Sequence, residues 1–320
     1  MSGELVPRQS NALVVPALIT NEGEQASRRF FEFFTANIPN DNTRAAYAQA
    51  VGQFLRWAEA RGLTLRSIEP IAVAAYIKES RARLADETVK QHLAAIKMLF
   101  DYLVTGQILP TNPAASVKGP KVIVRKGKTH VLSTADARKL LDSIETSTVL
   151  GLRDRALIAT MVYSFARVSA VVGMKVGDYY SNGKRWWLRL HEKGGKFHEV
   201  PAHHNTESYL DAYLEAAGIA GDAKTPLFRS IPGRSQNVTE SPLRRNNALD
   251  MIKRRAVAAG LPNRVCCHTF RATGITAYLE SGGTIEKAQQ IAAHESPRTT
   301  KLYDRTSDQI TLDEIERITI

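Results

Sequence analysis

The 320 residues carry 43 Lys and Arg against 32 Asp and Glu, a formal net charge of +11, and such an excess favours polyanions, either nucleic acid or an anionic membrane surface. With 43% hydrophobic and 23% charged residues the composition is that of a globular protein rather than a disordered one, and no stretch approaches the apolar length of a membrane span. Only two cysteines occur, adjacent at Cys266 and Cys267. They cannot staple distant segments and have no metal-ligand spacing around them, which fits a reducing compartment. The N-terminus lacks a basic region followed by an apolar run, so no secretory signal is expected and the expected location is cytoplasmic.

The length suggests two domains. Residues 1–25 show no periodicity and read as a flexible tail. Helical patterning begins at Ala26, with Phe30, Phe31, Phe33 and Phe34 supplying an aromatic face. Asn42 is the expected cap of a helix carrying Tyr47, Val51, Phe54, Leu55 and Ala58, with Gly62 ending it. Pro70 suits the first turn of the next helix, which carries Ile71, Ala74, Ala75 and Ile77. Asp86 is the expected cap of another, with Val89, Leu93, Ile96, Phe100 and Leu103 inward and Gly106 as terminator. Residues 26–113 therefore read as an all-helical domain.

Residues 114–130 read as a basic linker. Gly119-Pro120 disfavours regular structure, and Lys118, Lys121, Arg125, Lys126 and Lys128 occur with no acidic residue between Pro113 and Asp136. A solvated linker and a linker crossing a phosphate backbone both fit these residues. From 131 to 320 the chain reads as a second, mainly helical domain. Ser133 caps a helix carrying Ala137, Leu140, Leu141 and Ile144, and a further helix runs from about Leu152 to Phe165. Residues 186–190 and 197–201 alternate like strands joined by Glu192-Lys193-Gly194-Gly195-Lys196, a β-hairpin. After Asn205 most of the chain reads helical, and residues 310–320 form an amphipathic end that docks either on its own domain or on a neighbour.

The chemistry-bearing cluster is His268-Thr269-Phe270-Arg271. Upstream, Arg167 follows an apolar helix; downstream, His294 lies in Ala292-Ala293-His294-Glu295-Ser296, and Tyr303 lies in Thr299-Thr300-Lys301-Leu302-Tyr303-Asp304. Singly, each has an ordinary structural explanation: a hydrogen-bonded histidine, a surface arginine, a core tyrosine, a turn lysine. Their order and spacing carry the argument. Two guanidinium forks suit the non-bridging oxygens of a phosphodiester, imidazoles can move a proton or hydrogen-bond the phosphate, and a phenol can be the nucleophile. No carboxylate cluster with metal-binding spacing and no Gly-rich phosphate loop ending in Lys-Ser or Lys-Thr is present, so no metal and no cofactor are expected.

The set resembles the tyrosine recombinase (phage integrase) family, which has an Arg after a buried helix, a Lys in a β-hairpin, His-x-x-Arg, a second His and a C-terminal Tyr. The nine positions from His294 to Tyr303 match the family's spacing. The hairpin is similar to its Gly-Lys-Gly-x-Lys-x-x-x-Val-Pro, with Lys193 at the first Lys and Val200-Pro201 at the end. The sequence departs from the pattern at Ala170, where the family has an acidic residue three positions after its first Arg, and at Ala292-Ala293, which stands for Leu-Gly. The resemblance implies a helical core-binding (SAM-like) domain, then a mainly helical catalytic domain with a small antiparallel sheet, the two closing as a clamp on duplex DNA. It implies cutting and rejoining of DNA without metal or ATP, through a covalent 3′-phosphotyrosyl bond. In that mechanism Tyr303 is the nucleophile, Arg167 and Arg271 hold the phosphate, His268 and His294 assist, and Lys193, rather than Lys196, protonates the leaving 5′-oxygen. The implied partners are double-stranded recombination sites, three further copies of the chain in a tetramer on DNA, and accessory DNA-bending proteins.

Further DNA contacts are expected from Arg244, Arg245, Asn247 and Lys253 on a helix whose Leu249, Ile252 and Ala256 face inward; Arg and Asn suit base edges, and contact to phosphate alone or plain solvation fits each residue at least as well. Thr43, Arg44, Lys90, Gln91 and Lys97 are expected contacts in the first domain. Two rivals stay open: a type IB topoisomerase-like enzyme with the same chemistry, and a basic regulator that binds DNA without cutting it.

Overall fold

A computed structural model describes residues 15–122, 127–192, 197–232, 237–304 and 315–316. The chain divides into two compact units, Met1–Ile123 and Val124–Ile320. The first contains α1 (Ala17–Thr20), α2 (Glu24–Thr35), α3 (Asp41–Glu59), α4 (Pro70–Arg81) and α5 (Asp86–Thr105). Their inward faces form one core in which Phe30, Phe33 and Phe34 of α2 meet Phe54 of α3, Tyr76 of α4 and Phe100 of α5.

Local signals located these helices, but several details differ from expectation. The tail reading fails for the part that is described: α1 buries Leu18 and Ile19 in the core, and one turn is too short to show a period. The cap of α3 is Asn40, whose side chain accepts from the Thr43 amide, not Asn42. Asp86 does not cap α5; it is the first helical residue, Ala85 is the cap, and the Asp86 carboxylate pairs with Arg81. On α4 the buried face is Val73, Tyr76, Ile77 and Ser80, while Ile71 is 75% exposed and Ala74 is also outward. Pro70 sits at the start of α4 as expected. The linker begins later than residue 114, because Ala114 and Val117 are buried in this unit's core.

The second unit contains α6 (Thr134–Asp142), α7 (Val149–Tyr163), α8 (Val168–Val172), β1 (Tyr179–Asn182), β2 (Arg185–His191), β3 (Phe197–Pro201), α9 (His204–Ala217), α10 (Arg245–Ala258), α11 (Cys267–Glu280), α12 (Ile285–Ile291) and α13 (Pro297–Lys301). The expected hairpin is β2–β3, antiparallel, with Leu188 opposite Val200 and His191 opposite Phe197. A third strand, β1, pairs with β2 and closes on it through Gly183, which has φ +64°. The Asn182-Gly183 turn signal stood in the sequence, but β1 is only four residues long and shows no clear alternation.

Helix α7 is buried on almost every side, from Ala156 through Met161, so its sequence is apolar all round rather than striped. Beside the main core lies a smaller cluster of Phe165, Ile275, Leu279, Ala288 and Ala292, with Tyr303 packed against it. Gly274 sets the approach of α11 to the end of α7. A Cβ there would lie 2.1 Å from the Val162 carbonyl oxygen and 2.7 Å from the Phe165 ring. Gly274→Ala is therefore expected to destabilise the second unit by about 1–3 kcal/mol through overpacking, read as a lower urea midpoint than that of the unaltered protein.

Candidate active site

Five of the six expected catalytic residues lie among the described ones. Lys193 does not, nor do Lys196, Arg125 and Lys126. Arg167 is the N-terminal cap residue of α8, delivered by the short turn that follows α7. His268 and Arg271 sit one turn apart on α11, where an i, i+3 spacing puts both on one face. His294 follows α12, and Tyr303 follows α13.

The Arg271 side chain is at the centre. It is 2% exposed, and it donates to the carbonyls of Phe165 and Ala292, the latter at 2.5 Å. Both acceptors lie at or next to left-handed backbone. Phe165 has φ +54°, and Ala293, directly after Ala292, has φ +48°. This explains why the family pattern has Gly at the second of these positions: the conformation is left-handed, and Ala adopts it under strain.

Tyr303 is held on several sides. The Thr276 hydroxyl donates to its carbonyl at 2.9 Å, and the Gly127 amide donates to the carbonyl of Leu302 at 2.9 Å. Its ring lies nearly parallel to that of His294, 8° apart with centroids at 5.9 Å. Nδ1 of His294 shares a 2.9 Å hydrogen bond with the buried Thr300 hydroxyl. His268 faces solvent on the open side.

Sequence reasoning missed Glu192. Its carboxylate pairs with Nη1 of Arg167, and the Glu192 side chain is only 5% exposed. One signal stood in the chain: Glu192 occupies the place of the Gly that precedes the first Lys of the hairpin pattern. His198 bonds through Nε2 to the Ile291 carbonyl at 2.9 Å and ties β3 to the end of α12.

The electrostatics follow from enclosure and from two converging guanidiniums. The Arg271 pKa lies at about 10, lowered first by burial and then by the Arg167 charge; Glu192 and Tyr303 act the other way. It remains cationic at neutral pH. The His294 pKa is lowered to about 3, by burial first and then by Arg271 and Arg167. That of His268 is also lowered, by partial enclosure and then by the same two charges. Both imidazoles are neutral near pH 7, so the described site holds two cations and one carboxylate. The excess positive charge suits a phosphodiester.

The expected DNA contacts are scattered over both units. Lys90, Lys97 and Lys121 line one open groove of the first unit with Leu93, Gly119 and Pro120, although the Lys97 ammonium also donates to the Ala115 carbonyl. Gln91 and Lys118 are exposed. Thr43 and Arg44 have local work, bonding to Asn40 and to the Ile38 carbonyl at the start of α3. In the second unit Lys128 is exposed, as are Arg244, Arg245 and Asn247 at the start of α10, whose Ile252 and Ala256 are buried and whose Leu249 is half-buried. Lys253 is half-buried and donates to the Asn263 carbonyl at 3.2 Å.

Residues 130–309 match the phage integrase family, and residues 29–107 match the phage integrase N-terminal SAM-like domain. The tyrosine recombinase XerD of Chlorobaculum tepidum is 26% identical over 296 residues, covering 88% of this chain and 93% of the relative. Among solved structures, the XerH recombinase in a post-cleavage complex with palindromic difH substrate superposes with a TM-score of 0.69 at 19% identity, covering 95% and 90% of the two chains. A lambda integrase tetramer bound to a Holliday junction gives 0.65 at 19% identity, covering 90% and 79%.

The His294 pKa makes a prediction about stability. In the unfolded chain the imidazole has its ordinary pKa of 6.5, against about 3 when folded, so acid favours the unfolded chain. This contribution is constant above about pH 6.5 and is lost as pH falls from there towards 3. His294→Gln cannot titrate, and its urea midpoint is expected to drop less between pH 6.5 and pH 4.5 than that of the unaltered protein.

Proposed function

The chain belongs to the phage integrase family, and from that membership we propose that it is a site-specific DNA recombinase whose nucleophile is Tyr303. The observation that carries the assignment is the approach of Tyr303 to the buried Arg271 and its ring beside that of His294, two residues that both feel the Arg167 charge. Arg167 and Arg271 hold the non-bridging oxygens of the scissile phosphate and stabilise the charge that grows on them. The Tyr303 phenol loses its proton to His268, which is neutral and open to solvent. The phenolic oxygen then forms a bond to phosphorus as the bond to the 5′-oxygen breaks. The products are a 3′-phosphotyrosyl link and, once Lys193 has given up a proton, a free 5′-hydroxyl. His294 hydrogen-bonds the phosphate. Because the new ester conserves the bond energy of the old, attack by a 5′-hydroxyl reseals the strand without added metal or nucleotide.

Duplex DNA is the proposed substrate, and the lysines of the α5 groove and the exposed start of α10 are its proposed contacts. Four copies are proposed to assemble on two sites, as the lambda integrase tetramer does on its Holliday junction. Accessory DNA-bending proteins belong to the same proposal. No helix among the described residues is long and apolar enough to cross a membrane.

Tyr303→Phe should form no DNA–protein adduct that survives denaturation, while gel-shift affinity for DNA stays nearly unchanged. The substitution removes the reacting oxygen and little else. An adduct persisting in that variant would refute the assignment.

Lys193→Ala should slow cleavage of an ordinary 5′-oxygen leaving group by about 10²–10⁴-fold, the usual worth of a positioned acid. A 5′-bridging phosphorothiolate should be cleaved almost normally, because a thiolate departs without a proton. Arg271→Ala should impair both substrates, and Lys196→Ala should be milder on the oxygen substrate. Equal defects of Lys193→Ala on the two substrates would remove the general-acid role.

A further inference from the structure

We propose that Glu192 is a positioning residue for Arg167, supplying from the end of β2 the carboxylate that the family pattern places three residues after that arginine. The inference rests on the assignment of Arg167 to the phosphate. Two departures from the pattern meet at this arginine. Position 170, acidic in the pattern, is Ala170 and is buried. Position 192, glycine in the hairpin pattern, is glutamate.

Arg167 caps α8, so position 170 is the third residue of that helix. An acidic side chain there reaches back towards the cap residue, and alanine has nothing to reach with. Glu192 arrives instead from 25 positions along the chain and pairs with Nη1 of Arg167. Its enclosed carboxylate requires a cationic partner, which commits the pair to one arrangement. A lone arginine facing the like charge of Arg271 would swing away towards solvent. Held by one nitrogen, the guanidinium keeps its other N–H donors for an anion.

Glu192 is negatively charged, so it is not itself a phosphate contact. Its removal should leave DNA binding intact and slow the chemical step, because misplacing a positioning group by about an ångström costs up to 10²-fold in rate. Glu192→Gln keeps the shape and removes the charge. At saturating DNA its single-turnover cleavage should fall about 10–100-fold, with the dissociation constant for DNA unchanged or lower and the circular dichroism spectrum unaltered. If Glu192 acts through Arg167, then in an Arg167→Ala background, followed over long incubations, Glu192→Gln should cause no further loss.

Cleavage by Glu192→Gln at the unaltered rate would overturn the proposal. So would a loss that only tracks weaker DNA binding or a smaller folded fraction, or a full additional loss in the Arg167→Ala background. Tyr303→Phe, run alongside, separates the two levels. If the unaltered protein forms no adduct that depends on Tyr303, the reading of the site itself has failed; if it does, and Glu192→Gln matches it, only the positioning role has.

Discussion

The structure of the site depends on how one guanidinium is buried. Arg271 is 2% exposed, and a charge taken so far out of water needs partners of good geometry. Its partners are main-chain carbonyls of Phe165 and Ala292. Phe165 is itself left-handed, and Ala292 is right-handed but is followed directly by left-handed Ala293. Holding a non-glycine residue there costs about 1–2 kcal/mol, while a hydrogen bond to a charged group is worth about 1.5–3 kcal/mol. The bonds therefore offset the strain, and the buried charge sets the path of two turns. One delivers Arg167 to the start of α8; the other delivers His294 to the end of α12.

The same burial explains the protonation states. Two cations and the surrounding protein make a third positive charge unfavourable, so the histidines are held neutral. Neutral imidazoles can accept a proton or share a hydrogen bond without competing with the arginines for an anion. Glu192 offsets part of the repulsion between the guanidiniums but leaves a net positive charge in the described site. Such a balance suits an anion.

Support for Tyr303 comes from three directions in the chain. The hydroxyl of Thr276 reaches it from α11, the same helix that carries His268 and Arg271. The Gly127 amide holds the preceding residue, and a Cβ on Gly127 would lie 2.8 Å from the Leu302 carbonyl oxygen. The apolar cluster around Phe165 and Ile275 backs the phenol ring. The tyrosine is thus fastened to the helix that carries Arg271.

Much of this was legible in the amino-acid order. Helices of three turns or more show their apolar period, as in α2, α3 and α5, and a hairpin shows its alternation and its glycines. The candidate arginines, histidines and tyrosine were found because their spacing is short and linear: His268 to Arg271 is one helical turn, and His294 to Tyr303 is nine positions. What escaped was either too short to have a period, such as α1 and β1, or depended on contacts between distant parts of the chain. Which asparagine caps α3 turned on two residues of backbone path. The Glu192–Arg167 pair spans 25 positions, and the Arg271–Phe165 bond spans 106. The sequence by itself determined which groups were available for phosphodiester chemistry, because residue types and local spacing are written in it. Only the tertiary structure decided which carboxylate stands beside which arginine, because ion pairs and buried carbonyls obey distance in space and leave no repeat along the chain.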